Sequence, residues 1–373
     1  MEDKVFSVFD FLRFPLIVGV VIIHCYSERV DVSLIDWTNP SLDLFGLAFR
    51  IGVAHVLCCL AVPLFFLFSG YLFFANLENW DFQRYREKLK RRAKTILLPF
   101  LLWNTIAIFL ALIWHAIHNG AAGIHDFLIQ NGGLRLYWNC RVWDVQRLSL
   151  FGEATLASAP YLIPLWYLRD LMVMFLVSPV LGLFLKKAKW IGALIITTLY
   201  CSNFSYGVGA FCLEPDTVMW FSAGAFLKIH KIDFLESIKR AFVPLLVIFL
   251  VLWGVCTRFD GHLTETGRML FPFYDIVGCL VLLNLSRICV EKGMSIPKWI
   301  TGSTVFIYCF HTLPVAGPII ITKKILECAS LSQNSMTFFF LSPIIVIIIS
   351  LAAFQTLRIL LPGICSALVG ARR

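Results

Sequence analysis

Two ionisable side chains in the first apolar segment have the types and the spacing to act on one substrate. Arg13 and His24 are 11 residues apart, about three turns of an α-helix, so both side chains point from the same helical face. At 1.5 Å per residue they lie roughly 16 Å apart along the helix axis. A guanidinium binds anions well, and an imidazole serves as a general base or a transient nucleophile. The pair therefore suits a long substrate with an anionic group at one end and a reactive group at the other.

Acyl-coenzyme A has this extended shape, because its phosphates and its thioester lie at opposite ends of a thin arm. In this interpretation Arg13 binds a phosphate, and His24 either activates an acceptor hydroxyl or takes the acyl group itself. A structural interpretation stays open at this stage, with His24 bonded to a neighbouring carbonyl and Arg13 extended to the membrane interface. Spacing alone does not choose between the two.

The composition indicates that much of the protein surface is in contact with lipid. Of the 373 residues, 59% are hydrophobic and only 15% are charged, whereas soluble domains carry about 25% charged residues. The net charge is +9, but the basic residues fall in short clusters between apolar runs rather than on one water-exposed face. We therefore exclude a nucleic-acid partner and expect an integral membrane protein. The 12 cysteines show no metal-ligand spacing, so no metal site is expected.

Apolar runs of about 20 residues, the length that crosses a bilayer as a helix, occur along the whole chain. They predict an all-α, polytopic transmembrane helical bundle of about ten spans. The predicted spans lie near residues 8–28, 51–77, 95–116, 161–185, 190–206, 208–229, 241–257, 269–286, 299–321 and 336–361. We expect a single membrane domain over residues 1–373, without an appended soluble domain.

The Lys and Arg residues predict how the bundle is oriented. With the N-terminus in the cytoplasm, the basic clusters at residues 84–94, 186–189 and 228–240 all fall on the cytoplasmic side, as the positive-inside rule requires. Ten spans then return the C-terminus to the cytoplasm. The longest outer loop, about 117–160, is long enough to form a lid or a re-entrant element.

Five segments, taken in order, resemble one family. FLRFPLIVGVVIIHCYSE (11–28) is similar to the first-helix Arg/His signature of the acyltransferase 3 family of integral membrane acyltransferases. PLFFLFSGYLFF (63–74) resembles the second helix of that family, and YREKLKRRAKTILLPFLLWN (85–104) resembles its basic loop and third helix. PLWYLRDL (164–171) and STVFIYCFH (303–311) resemble its Trp/Arg/Asp segment and its late Tyr/His element. The resemblance covers essentially the whole chain.

This resemblance implies transfer of an acyl group, usually acetyl, from cytoplasmic acyl-coenzyme A to a hydroxyl of an extracytoplasmic carbohydrate. Arg13 and His24 are then the essential catalytic pair. Many members carry an Arg-x-x-Arg pair before the third helix. Here the closest form is Arg91-x-x-Lys94 with Arg92 alongside, and these three residues are the candidates that bind the donor. Acyl-coenzyme A, chiefly acetyl-coenzyme A, is a co-substrate, and no permanently bound cofactor is expected. The expected location is a bacterial cytoplasmic (inner) membrane.

Supporting site candidates come from the other segments of the resemblance: Ser69, Trp166, Arg169, Asp170, Tyr308 and His311. Arg169 and Asp170 lie within an apolar span, where an unpaired charge is unfavourable. Because adjacent helical residues point about 100° apart, we expect each to find a partner on another helix, either in a structural network or in the site.

The remaining supporting candidates have structural interpretations beside their functional ones. We expect His311 to line the cavity of His24, in a structural or supporting role. Trp166 is expected as an anchor at the membrane interface. Ser69 and Gly70 are expected to let two helices approach closely rather than to supply a nucleophile.

A polar outer cavity that admits the acceptor is a further expectation, with weaker candidates Arg50, His55 and Asp275. Three other histidines are expected to face water: His115, His118 and His262. The alternative function is a transporter or exporter of a glycan or a lipid-linked intermediate, because polar groups within a bundle also mark a substrate path. Transporters often show repeated halves, and no internal repeat is recognised here, which favours the enzyme.

Overall fold

Helices make up most of the chain in the computed structural model, which describes residues 2–26, 41–75, 82–145, 155–204, 206–208, 211–261 and 264–370. The α-helices are α1 (Glu2–Cys25), α2 (Leu42–Ile51), α3 (Ala61–Phe74), α4 (Phe82–Arg92), α5 (Leu98–Asn131), α6 (Arg135–Trp138), α7 (Trp166–Cys201), α8 (Pro215–Ile229), α9 (Phe234–Arg240), α10 (Phe242–Arg258), α11 (Glu265–Glu291), α12 (Lys298–Thr301), α13 (Thr304–Phe310), α14 (Pro318–Cys328), α15 (Met336–Leu360) and α16 (Pro362–Leu368).

Short irregular helices and two hairpins complete the described part of the chain. Gly52–Leu57 and Ala93–Leu97 are π-helical turns, and Cys58–Leu60 and Ile163–Leu165 are 3₁₀ turns. The strands form two antiparallel pairs, β1 (Arg141–Val145) with β2 (Thr155–Ala159) and β3 (Tyr206–Val208) with β4 (Phe211–Leu213). Both hairpins belong to connections between helices, so the fold is the all-α bundle that the sequence predicts.

Helix starts follow from local capping chemistry. The side chains of Ser41, Thr264 and Ser335 accept hydrogen bonds from the backbone N–H groups three residues on, at 3.1 Å in each case. These bonds satisfy donors that have no partner inside the helix. Proline occupies the first helical position of α8, α14 and α16, where its missing N–H costs nothing.

Six helical stretches among the described residues are long and apolar enough to cross a membrane: Asp3–Cys25, Leu42–Phe74, Phe82–Asn131, Ile163–Cys201, Glu265–Glu291 and Met336–Leu360. The pair α9 and α10 meets the same test when it is counted as one span, although it bends by 79°. The protein is therefore an integral multi-pass membrane protein.

The described residues contain six or seven candidate spans, whereas the sequence predicts ten, and the difference has identifiable causes. Segments 161–185 and 190–206 form the two arms of α7, which breaks at Lys189 with φ 49°. Segment 208–229 corresponds to α8, whose 15 residues are short for a span. Segment 299–321 is not continuous, because α13 ends at Phe310 and α14 begins at Pro318. Such breaks depend on backbone geometry that a hydropathy pattern does not report.

Apolar side chains cover the outside of the long helices. On α10, Val243, Val247 and Val251 expose 69%, 57% and 61% of their surface, and on α15 Ile344 and Ile348 are similarly exposed. A water-soluble protein rarely presents such continuous apolar faces. They face the hydrocarbon of the bilayer.

Close backbone contact joins α3 to α8 at the centre of the bundle. A Cβ added at Gly70 would lie 2.1 Å from the carbonyl oxygen of Phe221, and one at Gly224 would lie 2.0 Å from that of Leu67. Only glycine allows the two backbones to approach so closely. The expected role of the Ser69-Gly70 step in helix packing is thus observed at Gly70.

The segment after the first arm of α5 turns back on itself. Gly120 has φ 63° and ψ −156°, which breaks the helix. His115 and Phe127 lie ring to ring at 5.1 Å, although 12 residues of straight helix would separate them by about 18 Å. The amide of Asn104 donates to the Leu136 carbonyl at 2.9 Å and accepts from the Leu162 N–H at 3.0 Å. The expected lid or re-entrant element is therefore a helical segment folded back onto α5.

A buried ion pair holds this returning segment to α7. Arg169 donates to Asp170 at 2.8 Å, to the Trp138 carbonyl at 2.9 Å and to Ser158 at 3.0 Å. Asp170 also accepts from the Thr217 hydroxyl at 3.3 Å. Each residue therefore has the expected partner on another helix, and the long Arg169 side chain also reaches its own neighbour Asp170. The pair connects α6, β2, α7 and α8.

Replacing Gly70 with alanine is expected to destabilise the bundle by about 1–3 kcal/mol, because backbone rather than a movable side chain meets the new methyl group. Unfolding of the purified protein in mixed micelles with increasing SDS measures the change. Gly254→Ala is the matched control, because a Cβ at this helical glycine meets nothing within 4 Å. Equal loss of stability in the two variants would contradict the packing role.

Replacing Arg169 with methionine is expected to cost about 3–5 kcal/mol, because the Asp170 carboxylate then stays buried without its counter-charge. The double variant Arg169→Met/Asp170→Leu should recover much of this loss, since no buried charge remains. The same SDS titration measures both variants. A single variant as stable as the wild-type protein would show that the network does not anchor the returning segment.

Candidate functional site

His24 lies beside a second histidine from the far end of the chain. The imidazole rings of His24 and His311 are 5.1 Å apart between centroids and are tilted by 53°. His24 is partly accessible, whereas His311 is completely buried. The two residues are 287 positions apart, so only the packing of α13 near α1 creates this pair.

Hydrogen bonding defines the state of His311. Its Nδ1 lies 3.0 Å from the carbonyl oxygen of Ile307, a contact that requires Nδ1 to carry the proton. In the neutral ring Nε2 then has the lone pair. Within the part of the chain that the structure describes, Nε2 has no hydrogen-bond partner. His311 thus presents a basic nitrogen inside the bundle.

The break between α13 and α14 places His311. Helix α13 ends at Phe310, Pro314 follows, and a Cβ at Gly317 would lie 2.1 Å from the Leu313 carbonyl oxygen. The Ile319 N–H donates to the His311 carbonyl at 3.3 Å. Irregular backbone within a membrane protein is found where it is buried in protein or lines a cavity, and here it carries the second imidazole.

Two tyrosine rings lie between His311 and Ser69. The Tyr308 ring lies 6.4 Å from His311 and 6.0 Å from Tyr167, and the Tyr308 hydroxyl donates to the Pro164 carbonyl. The Tyr167 hydroxyl lies 3.1 Å from Ser69 Oγ. Ser69 on α3, Tyr167 on α7 and Tyr308 on α13 therefore follow one another in a line, joined by the Ser69–Tyr167 hydroxyl contact and by ring packing between the two tyrosines.

Arg13 lies on the same helix as His24, roughly 16 Å away along the axis. It pairs with Asp10 at 2.8 Å, and both side chains are partly exposed. Arg92 lies close enough to interact electrostatically with Arg13 and with Tyr167, and its guanidinium packs over the Phe175 ring at 5.2 Å. Arg92 at the end of α4 thus lies near both Arg13 on α1 and Tyr167 on α7.

The other residues of the basic segment lie further from this point. Arg91 and Lys94 are exposed, whereas Arg92 is half-buried. Lys88, one turn earlier, donates to the carbonyls of Phe73 and Ala75 at the end of α3. The helical period of α4 therefore separates the three predicted donor-binding residues, with Arg92 facing the interior.

Trp166 packs inside the bundle. Its ring is half-buried, and its centroid lies 6.2 Å from that of Phe66. It lies one residue before Tyr167, so it helps to fix the start of α7. A function as an interfacial anchor stays a prediction.

The weaker candidates form two separate buried clusters. His55 Nδ1 lies 2.6 Å from the Asp260 carboxylate, and Arg50 donates to the Tyr26 hydroxyl at 3.4 Å. Tyr26 and His55 also lie ring to ring at 5.2 Å. Because Tyr26 follows His24 by two residues, this first cluster adjoins the outer end of α1.

Asp275 belongs to the second cluster. The Tyr200 hydroxyl lies 2.6 Å from Asp275 and 2.8 Å from Asp216, between α7, α8 and α11. A phenol has one proton, so one of the two carboxyl groups must itself donate in this arrangement. The cluster joins three helices.

The histidines expected to face water have different surroundings. His118 is exposed and stacks on Trp114 at 4.2 Å. His115 is half-buried against Phe127. His262 lies outside the described residues.

Sequence reasoning missed several residues of these polar groups. Tyr167 lies inside the PLWYLRDL segment, next to three selected residues, yet a tyrosine in an apolar run gives no signal of its own. Asp260 lies in a turn after α10 with φ 53°, and Tyr26 follows the first span. Their partners are distant in sequence, so spacing could not have found them.

Comparison with known proteins gives a family and a relative. A family model described as an acyltransferase domain matches residues 6–355. The chain is 26% identical over 387 aligned residues to the succinoglycan biosynthesis protein ExoH of Rhizobium meliloti (strain 1021), covering 100% of this chain and 94% of that protein. No solved structure matches the chain.

The match confirms the resemblance that the five sequence segments indicate. It begins before Arg13 and ends beyond His311, so it includes the paired histidines, Tyr167, Tyr308 and Arg92. Because the family model covers most of the 373 residues, this chain belongs to the membrane acyltransferases that share this domain.

Proposed function

We propose that this protein transfers an acyl group from cytoplasmic acyl-coenzyme A to a hydroxyl of a carbohydrate on the other side of the membrane. The observation that carries the proposal is the placement of two imidazoles and two cations at separate positions along α1. The imidazoles of His24 and His311 lie at one end, and Arg13 and Arg92 lie at the other. An extended donor laid along this helix has its phosphates and its thioester at opposite ends.

The cationic end supports binding of the donor. Arg13 and Arg92 come from different helices, and a guanidinium holds a phosphate through two parallel N–H groups. The exposed Arg91 and Lys94 add positive potential at the entrance, which raises the local concentration of an anionic substrate. The acyl group we propose is acetyl.

The histidine end supports the chemistry. His24 takes the proton of the acceptor hydroxyl while the hydroxyl oxygen attacks the thioester carbonyl. The C–S bond breaks, and His24 passes the proton to the departing thiolate, so that the free thiol of coenzyme A and the ester are the products and His24 is neutral again. The lone pair on His311 Nε2 accepts a hydrogen bond from the hydroxyl or from His24, which orients the attacking group.

The similarity to the Rhizobium meliloti protein supports the proposed class of acceptor. That protein is named for succinoglycan biosynthesis, which supports a polysaccharide or its precursor as the acceptor. We place the enzyme in the bacterial cytoplasmic membrane with both termini in the cytoplasm, following the distribution of basic residues. The donor then enters from the side where acyl-coenzyme A is made.

Replacing His24 with alanine is expected to reduce acyl transfer at least a hundredfold, because loss of a general base typically costs 10²–10⁴ in rate. The assay follows release of coenzyme A thiol and formation of the glycan ester in proteoliposomes. His118→Ala is the control, since this exposed imidazole stacks on Trp114 away from the pair. Normal transfer by a correctly folded His24→Ala protein would overturn the assignment. Trapping of an acyl-imidazole after rapid quenching would show transfer through His24 itself.

Replacing Arg13 with alanine is expected to raise KM for acyl-coenzyme A by about 10–100-fold, the effect of one charge-assisted hydrogen bond, with a smaller change in kcat. Asp10→Asn is the matched control, because it removes the ion-pair partner of Arg13 and keeps the cation. Its KM should equal that of the wild-type enzyme or be lower. An equal rise of KM in both variants would mean that the ion pair, rather than donor binding, accounts for the effect.

A further inference from the structure

A polar cleft lies on the returning segment, apart from the histidine pair. Its volume is about 410 Å³, within the usual range of small-molecule sites. Its walls come from the two arms of α5 on either side of Gly120, from Arg141 at the start of β1 and from Tyr161. The cleft therefore exists only because the chain folds back at Gly120.

The lining offers hydrogen bonds in both directions. Asn119 and Gln130 are exposed and border the cleft, and each amide both donates and accepts. His115 adds a ring nitrogen, and Asp126 adds acceptor oxygens. Sugar hydroxyls also donate and accept, so such a lining matches a polyhydroxyl ligand better than it matches an apolar one.

The charges of the lining balance. Asp126 and Arg141 are the carboxylate and the guanidinium of the cleft, so their formal charges cancel. A phosphorylated ligand such as coenzyme A would need more cations than this, and these are found instead near Arg13. The electrostatics therefore favour a neutral ligand.

An aromatic surface is fixed at one side. The Arg141 guanidinium lies over the Tyr161 ring, 5.8 Å from its centroid, and Phe127 meets the same ring edge to face at 5.4 Å. The Tyr161 N–H donates to the Leu136 carbonyl at 2.8 Å. Tyr161 is thus held on several sides, and the part of its ring that lines the cleft is a rigid apolar surface against which the C–H groups of a sugar can pack.

The cleft is connected to the proposed site through a short stretch of backbone. Pro164 follows Tyr161 by three residues, at most about 11 Å even in an extended chain. The Pro164 carbonyl accepts the Tyr308 hydroxyl, and Tyr308 leads to His311. The cleft and the paired histidines are therefore linked through Pro164 and Tyr308.

We propose that this cleft binds the carbohydrate acceptor, as a subsite for neutral sugar residues that flank the hydroxyl to be acylated. The proposal rests on the proposed function for the identity of the ligand. In the orientation proposed above, the returning segment lies on the outer side of the membrane, where the glycan is presented.

Two measurements test the cleft. Binding of oligosaccharides released from de-acylated succinoglycan to the purified protein is followed by titration calorimetry, without any donor. The double variant Asn119→Ala/Gln130→Ala is expected to bind at least about tenfold more weakly, because two hydrogen-bonding amides are lost. In the transfer assay its KM for the oligosaccharide should rise by a similar factor, with KM for acyl-coenzyme A unchanged. His118→Ala, on the same helix but outside the cleft, should match the wild-type protein.

A second pair of variants tests the aromatic platform. Tyr161→Phe keeps the ring and should bind the oligosaccharide within about twofold of the wild-type protein. Tyr161→Leu removes the ring and should weaken binding about tenfold, a typical effect for an aromatic contact. The SDS unfolding midpoints of both variants identify any loss that comes from misfolding.

The outcomes separate this proposal from the proposed function. Equal oligosaccharide affinity in the wild-type protein and the double variant would overturn the proposed role of the cleft in acceptor binding, even if acyl transfer is normal. Cleft variants that no longer bind the oligosaccharide detectably, yet transfer to it with an unchanged KM, would also overturn the proposal. A third outcome is that the wild-type protein binds the oligosaccharide, the double variant does not, and neither transfers an acyl group. This outcome would support the sugar-binding cleft and reject the acyltransferase reaction on this acceptor.

Discussion

A polar group inside the bilayer is costly unless it finds a partner within the protein, because lipid offers no hydrogen bonds. This constraint explains where the polar side chains of the bundle lie. Arg169 and Asp170 are buried together and bind the backbone and side chains of three other elements. Tyr200 lies between two carboxyl groups. Polar residues gather in shared networks, and the apolar residues are left to face lipid.

His311 is among the buried residues whose described contacts leave a polar atom without a partner. The described contacts of His311 satisfy one ring nitrogen through its own helix and leave the other directed into the bundle beside His24. A basic nitrogen in a low-dielectric interior interacts strongly with any hydroxyl that reaches it. Tyr308 and Tyr167 pack between this point and Ser69, and Arg92 lies near Tyr167 and Arg13.

Breaks in helices, rather than the helices themselves, create both proposed sites. The interruption between α13 and α14 carries His311, and the reversal at Gly120 creates the cleft beside Tyr161. Continuous helices satisfy all of their own backbone groups and present only side chains. Where a helix ends inside the protein, it can bring a distant residue into contact with another helix. The glycines and prolines at these points therefore contribute to function by placing other residues.

The amino-acid sequence by itself determined the class of the protein. Apolar runs and scarce charge predicted an all-α membrane bundle, because hydrophobic length must match the bilayer. The pairing of Arg13 with His24 on one face followed from helical geometry, and motif order identified the family. These features are local, and a helix of known period converts sequence spacing into spatial direction.

The tertiary structure alone decided which distant residues meet. The contacts of His24 with His311, of Ser69 with Tyr167 and of His55 with Asp260 join segments that are 98 to 287 positions apart. No periodic pattern encodes such contacts, because they depend on how helices pack and where they break. The merging of two predicted spans at Lys189 and the reversal at Gly120 depend on positive backbone φ angles, which hydropathy does not reveal. Local composition therefore determined what each segment is, and packing decided what each segment touches.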